Sequence, residues 1–305
     1  MMNKVIIIAG PTASGKTSLA VALAKRIDGE VVSADSMQIY RGMSIGTALP
    51  TAEEKQGVPH HLLEIVDPDE KFSAAVYQKR AFAAIDDILL RGKTPIVAGG
   101  TGLYINSITY DLDFTETSEN TELRQQLSDQ YDADPRALYA ELIAKDPDCA
   151  QRIHENDKLR VIRRLEILAQ GDAGGYDFQK ENTKYDFLMF ALTRDRAELY
   201  NDINRRVDIM RETGLTEEVD SVYKKYGGDI TAFSAIGYKE FLPYFNGECD
   251  LESAYETIKR NTRRFAKRQL TWFRRDQRIN WINTDDFSDK ESIVDYIINN
   301  YWSSF

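Results

Sequence analysis

Residues Gly10-Pro11-Thr12-Ala13-Ser14-Gly15-Lys16-Thr17 fit the spacing G-x-x-x-x-G-K-S/T. Glycines in such a loop let backbone N–H groups converge on an anion at the positive end of a helix. The Lys16 ammonium adds charge, and the Thr17 hydroxyl suits Mg²⁺. A nucleotide hydrolase with this loop usually holds its metal with a carboxylate at the end of a later strand. Here TPIVA runs instead into Gly99-Gly100-Thr101. The strand-end acid closest to the loop in sequence is Asp35, in VVSADSMQIY. It either caps a following turn or acts as a catalytic or metal-associated carboxylate. Thr101 has the same ambiguity, since a threonine at that point also suits a helix N-cap. His60 and His61 have no companions at metal-ligand spacing, which favours packing or hydrogen bonding.

The elements that must position these groups alternate at first. The apolar runs KVIIIA, EVVSAD and TPIVA are separated by the helical patterns TSLAVALAKRI and SAAVYQKRAFAAIDDILLRG. This βαβ rhythm predicts a mainly parallel sheet flanked by helices, with its central strands buried on both faces. From about 116 to 184 the texture becomes helical and charge-rich, and DFLMFALT then returns as a strand. Helices are expected around Leu199-Ile203-Val207-Met210 and over 216–226, and the chain should close with the strand RINWINT and a helix over 288–300. The pattern predicts an α/β core of residues 1–115 and 185–305, interrupted by an all-helical insertion over 116–184. Residues 171–183 have the composition of a loop or hinge.

A chain of 305 residues that is 42% hydrophobic can bury a substantial core. Its two cysteines, Cys149 and Cys249, suggest neither a disulfide framework nor a zinc site. No apolar run reaches the length of a membrane span, so a cytoplasmic protein is expected. The net charge of −10 argues against general nucleic-acid binding. Yet residues 259–278 carry 9 of the 39 basic side chains and one acid. This stretch is expected to form a long basic helix, with Phe265, Gln269 and Trp272 on its less charged side. Arg160, Arg163 and Arg164 are expected to share a helix face in the insertion. Two arginine-rich surfaces suit a polyanion, or a kinase lid closing on ATP.

Taken in order, GPTASGKT, DSMQIYRGMSIGTALP, AGGTGLY, IHENDKLRVIRRLE, INRRVDIM, IGYKE and AKRQLTWFRR resemble the bacterial tRNA dimethylallyltransferases over nearly the whole chain. The resemblance implies a P-loop NTPase-like core with a helical insertion that contacts tRNA. It implies transfer of a dimethylallyl group from dimethylallyl diphosphate to N6 of the adenosine at tRNA position 37, with diphosphate released and ATP left uncleaved. On that pattern Asp35 is the base and Thr101 orients the adenine and the donor's bridging oxygen. Residues Gly10 to Thr17 and Arg206 hold the diphosphate, with Mg²⁺ at Thr17. The tRNA contacts implied are Asp35, Ser36, Met37, Gln38, Thr101, Arg124, Leu159, Arg160, Val161, Ile162, Arg163, Ile236, Gly237, Tyr238 and Lys239. Asn156-Asp157-Lys158 and Gly171-Asp172-Ala173 depart from the pattern common among relatives. The chain lacks the zinc finger that eukaryotic members often append, which points to the bacterial form, and a monomer is expected.

Two rival chemistries share the phosphate loop. A small-molecule or nucleotide kinase would use the arginine-rich insertion as its lid, and a prenyltransferase acting on free AMP or ATP would share the carbon chemistry. The lack of an evident second metal carboxylate counts against the first, and two extensive basic surfaces count against the second.

Overall fold

The computed structural model describes residues 3–112, 114, 121–171 and 180–303. The expected boundary at 115/116, residues Asp172-Ala173 and most of the expected loop over 171–183 lie outside them.

The chain opens with β1 (Lys4–Ala9), α1 (Lys16–Ile27), β2 (Gly29–Ser33), a single turn α2 (Ala52–Lys55) and β3 (His60–His61). It continues through α3 (Ala74–Leu90), β4 (Thr94–Gly99) and α4 (Gly102–Thr109). Four helices follow, α5 (Thr121–Ala133), α6 (Pro135–Lys145), α7 (Pro147–Ala150) and α8 (Lys158–Ala169). After β5 (Asp186–Thr193) come α9 (Arg196–Glu212), α10 (Leu215–Tyr226), α11 (Leu242–Phe245) and α12 (Leu251–Phe273). The last elements are β6 (Asn280–Asn283) and α13 (Lys290–Ile297).

Among the described residues six strands pair in parallel, in the order β3-β2-β4-β1-β5-β6. A parallel sheet needs helices on both faces, so its central strands cannot alternate apolar with polar residues. In β1, Val5, Ile7 and Ala9 enter a core with Tyr77, Ile85, Tyr104 and Ile105 from α3 and α4. Ile6 and Ile8 point the other way, into a core with Leu19 and Leu23 of α1 and Val294 of α13. Because β4 lies between β2 and β1, the loop that follows β4 is flanked by those that follow the other two. The strand order therefore brings the Gly10, Asp35 and Thr101 segments to one edge, the carboxyl edge where ligands bind in open α/β sheets.

The pair His60-His61 forms the edge strand β3, too short for its periodicity to be seen in the sequence. One expectation is corrected. The basic helix runs from Leu251 to Phe273, not over 259–278. Asp250 caps its start by accepting the Ser253 N–H at 2.7 Å, and Arg274, Arg275 and Arg278 lie beyond its end.

The chain divides into two compact units, Met1–Tyr110 with Glu181–Phe305, and Asp111–Lys180. The smaller unit is built from α5 to α8 around Leu127, Leu138, Leu142, Val161 and Leu165. Asp134, Asp146 and Asp157 cap α6, α7 and α8, each accepting N–H groups that a helix start leaves unpaired. In the larger unit a further core around Ile39, Tyr40, Val219, Tyr238 and Tyr255 holds the segment after Asp35 against α10 and α12.

Candidate active site

The phosphate loop leaves β1 at Gly10 and enters α1 through Gly15, the helix N-cap, whose φ of 85° is left-handed. Ala13 is also left-handed at φ 64°, a backbone cost for a residue with a Cβ. The loop is closed on itself: Ser14 Oγ donates to Pro11 O at 2.8 Å, and Lys16 Nζ donates to the same oxygen at 2.5 Å. The first turn of α1 has N–H groups with no intrahelical partner, which suits an anion. Thr17 lies in that turn and is exposed.

The Thr101 side chain is not used as a helix cap. Thr101 occupies the N-cap position of α4 but makes no capping bond there. Its Oγ1 accepts the Ser36 N–H at 3.0 Å and donates to Ser36 Oγ at 3.3 Å, while its own N–H donates to Ala34 O at 3.1 Å. Thr101 is thus fastened to the segment carrying Asp35. Asp35 caps the turn that follows it: Oδ1 accepts the N–H groups of Met37 and Gln38 at 2.9 and 3.3 Å, and Oδ2 stands outside both bonds. Gln38 braces the following loop, its Nε2 donating to Thr47 O and Ala48 O at 3.1 Å each.

Three charges meet around the loop. Lys16 is pushed down to about 7, chiefly by burial and then by the Arg206 cation, with Asp35 acting in the opposite sense. Burial raises Asp35 above the ordinary carboxylate range, against the Met37 and Gln38 N–H bonds and the pull of Lys16. Burial also lowers Arg206, from α9, opposed by Glu54 and Asp202. Some surface of all three stays accessible, yet each is deep enough for burial to dominate. Two cations crowded beside one carboxylate form a site that an arriving anion relieves.

Helix α12 closes this edge of the sheet. Its Gln269 is 6% exposed; Oε1 accepts the Thr12 N–H and Nε2 donates to Gly100 O, both at 2.9 Å. One turn on, Trp272 lies over Gly102, where a Cβ would stand 2.3 Å from the indole. Of the basic run, Lys259 pairs with Asp208 at 2.7 Å, Arg263 donates to Asn204 Oδ1 at 2.5 Å, and Arg278 pairs with Asp276 at 2.6 Å. Arg260, Arg264, Lys267, Arg268, Arg274 and Arg275 remain exposed. The sequence marks Gln269 as part of a less charged stripe, and a buried amide in such a stripe is the one signal of its bonds.

In the smaller unit, Arg124 and Arg163 share the fully buried carboxylate of Glu166, at 2.8 and 2.9 Å. The expectation that Arg160, Arg163 and Arg164 present a common face is not met. Arg164 is 8% exposed and bound by Asp146, which draws it inward with Val161 and Ile162 toward the core. Leu159, by contrast, is 80% exposed at the start of α8, and Arg160 is exposed beside Asp157. Elsewhere Tyr238 is fully buried, and its hydroxyl donates to Glu218 at 2.5 Å. Glu218 also accepts the N–H groups of Ser44, Ile45 and Gly46 at 2.8 to 2.9 Å. Gly237 donates to Glu240 at 2.8 Å. Val161, Ile162 and Tyr238 therefore turn their side chains into cores, whereas Lys239 turns outward.

His60 and His61 are hydrogen-bonded, to Val58 O and to Glu30. Among the described residues no cluster of three or more His, Cys, Asp or Glu could hold a metal, and no helix is long and apolar enough to cross a membrane.

A phosphate loop at the carboxyl edge of a parallel sheet, facing a buried carboxylate, defines a P-loop-like group-transfer enzyme. Residues 38–276 match the family model described as IPP transferase. The tRNA dimethylallyltransferase of Alkaliphilus metalliredigens is 49% identical over 307 residues, covering 98% of this chain and 97% of the relative. A solved tRNA isopentenylpyrophosphate transferase from Bacillus halodurans is 43% identical with a TM-score of 0.72, covering 97% of this chain and 95% of that one. A eukaryotic dimethylallyltransferase acting on tRNA superposes with a TM-score of 0.82 at 31% identity, over 99% of this chain and 79% of that one. The chain belongs to the tRNA dimethylallyltransferase family.

Proposed function

We propose that this chain transfers the dimethylallyl group of dimethylallyl diphosphate to N6 of the adenosine at tRNA position 37, with Asp35 as base and the phosphate loop as cradle for the leaving group. The N6 lone pair forms a bond to C1 of the donor as the C1–O bond breaks, and diphosphate departs with the bonding electrons. The N6 proton passes to Asp35. An exocyclic adenine amine is a weak nucleophile, so a base within hydrogen-bond reach is required. A carboxylate raised above its ordinary range by burial is a stronger base for that transfer than an ordinary aspartate.

Negative charge grows on the leaving oxygens as the bond breaks. The α1 N–H groups, Lys16 and Arg206 meet it in a recess where such contacts are strong. Thr101 orients the acceptor base and the donor's bridging oxygen. The Thr17 hydroxyl would hold Mg²⁺, an ion commonly bound by few protein oxygens together with substrate phosphates. When bound, it would supply positive charge that offsets the charge on the departing diphosphate.

The acceptor base is stacked in its loop and must be extruded to reach the donor. Arg124, Leu159, Arg160, Arg163 and Lys239 are the expected side-chain contacts to RNA, while Val161, Ile162, Gly237 and Tyr238 set the backbone around them. The observation that carries this assignment is the fastening of Thr101 to the Asp35 segment beside a loop whose lysine interacts with Asp35.

The test offers labelled dimethylallyl diphosphate to unmodified tRNA and to free AMP and ATP side by side. Acid-stable label on RNA with release of diphosphate is expected. Label on nucleotide alone, or γ-phosphate transfer from ATP, would overturn the assignment.

A further inference from the structure

We infer that Gln269 is a positioning residue that fixes the separation between the leaving-group cradle and the acceptor-orienting Thr101. This inference rests on the roles proposed for the phosphate loop and Thr101. The two segments leave adjacent strands, β1 and β4, and each carries one half of the reaction. Gln269 spans them from a third element, taking the Thr12 N–H with Oε1 and giving Nε2–H to Gly100 O, both at 2.9 Å.

The chemistry of the bridge restricts what can make it. One end must accept from an N–H and the other must donate to a carbonyl. Gln carries a donor and an acceptor at the two corners of one planar amide; Asn has the same pair one methylene shorter, and neutral His has them on a ring of different shape and spacing. Glu lacks the donor and Lys lacks the acceptor. The amide orientation is therefore fixed by its partners, without a flipped alternative.

The space is cut to the same shape. A Cβ on Gly100 would stand 2.2 Å from Gln269 Nε2, while its other nearest neighbour, Gly10 O, would be 3.3 Å away. Gly100 does not have the positive φ that would itself demand glycine. The glycine is thus required by the amide lying against it rather than by its backbone conformation. Burial of the amide at 6% exposure excludes water from competing for the bridge, and the Trp272–Gly102 contact keeps α12 in register. A displacement of about 1 Å between reacting groups costs on the order of a hundredfold in rate, so a two-ended clamp at this point acts on the chemical step.

The experiment compares single-turnover transfer rates, donor and tRNA dissociation constants, and melting temperature for wild type, Gln269→Met, Gly100→Ala and the double variant Gln269→Ala/Gly100→Ala beside Gln269→Ala. Met keeps the volume and loses both bonds. The expected result is a fall in single-turnover rate of roughly 10- to 100-fold for Gln269→Met, with both dissociation constants within about threefold of wild type. Gly100→Ala should match or exceed that loss. In the Gln269→Ala background the added methyl occupies vacated space, so the double variant should be no slower than Gln269→Ala alone. Wild-type rates in Gln269→Met, loss confined to substrate affinity or melting temperature, or independent multiplication of the two effects in the double variant would each overturn the inference. Failure of wild type itself to label tRNA would instead overturn the proposed function, so the two are separable.

Discussion

Raising the pH from 7 to 9 should weaken binding of dimethylallyl diphosphate to the enzyme without tRNA by about 50-fold, through Lys16. In the free protein burial and Arg206 bring this lysine down to about 7. At pH 7 about half of it is charged, and at pH 9 about one molecule in a hundred. A bound diphosphate supplies the counter-charge that the site lacks and restores the ammonium, so binding above pH 7 must take up a proton. The ligand contributes little to the slope, because a phosphate's second ionisation near pH 6 is about 90% complete at pH 7. Calorimetry without divalent metal, in two buffers of different ionisation enthalpy, measures both affinity and protons bound. Close to one proton per ligand is expected at pH 8.5, and Lys16→Arg should bind with neither uptake nor slope. The same shift has a consequence without ligand: between about 7 and the ordinary lysine value of 10.5 the unfolded chain binds more protons, so its contribution to stability grows with pH. Affinity that is flat in wild type, or an equal slope in Lys16→Arg, would refute the argument.

Three further outcomes are expected. Asp35→Asn should lower the single-turnover rate by about 10² to 10⁴ while tRNA affinity stays within about threefold; normal turnover with reduced melting temperature would reduce Asp35 to a turn cap. Thr101→Val, which keeps the shape and loses the links to Ser36, should slow transfer by at least about tenfold with little change in diphosphate affinity, checked by single-turnover and binding assays. Glu166→Gln removes the charge held between Arg124 and Arg163 and should weaken tRNA binding and alter its salt dependence, measured by filter binding over a salt series; unchanged binding would show that the carboxylate does not aim the two arginines.

The sequence reveals most where the physics is local. A phosphate loop is eight consecutive residues, and a doubly buried parallel strand is an unbroken apolar run, so β1, β2, β4 and β5 and their helices are legible without a structure. Asp35 and Thr101 are found by a rule of topology, the carboxyl edge, although which of their alternative roles applies depends on partners in other segments. Gln269 marks the limit: it meets Thr12 across 257 residues and Gly100 across 169, and no periodicity records such a meeting. Arg164 fails for a related reason, since helical spacing identifies its neighbours on α8 but not the Asp146 carboxylate that turns it inward. Tyr238 sits in a segment that the resemblance assigns to tRNA contact, yet its ring is claimed by the core and by Glu218.

The contacts of α12 with Gly100 and Gly102 also fix when the site comes into being. The phosphate loop, Asp35 and Thr101 all leave the ribosome within the first third of the chain, but the amide that clamps them and the indole that covers them are synthesised near its end. A nascent chain halted before Leu251 has every group assigned to the chemistry but lacks the amide that bridges the Thr12 and Gly100 segments. The clamp is therefore completed last, by the same segment that displays six exposed basic side chains between Arg260 and Arg275. The bridge and that basic surface are supplied together.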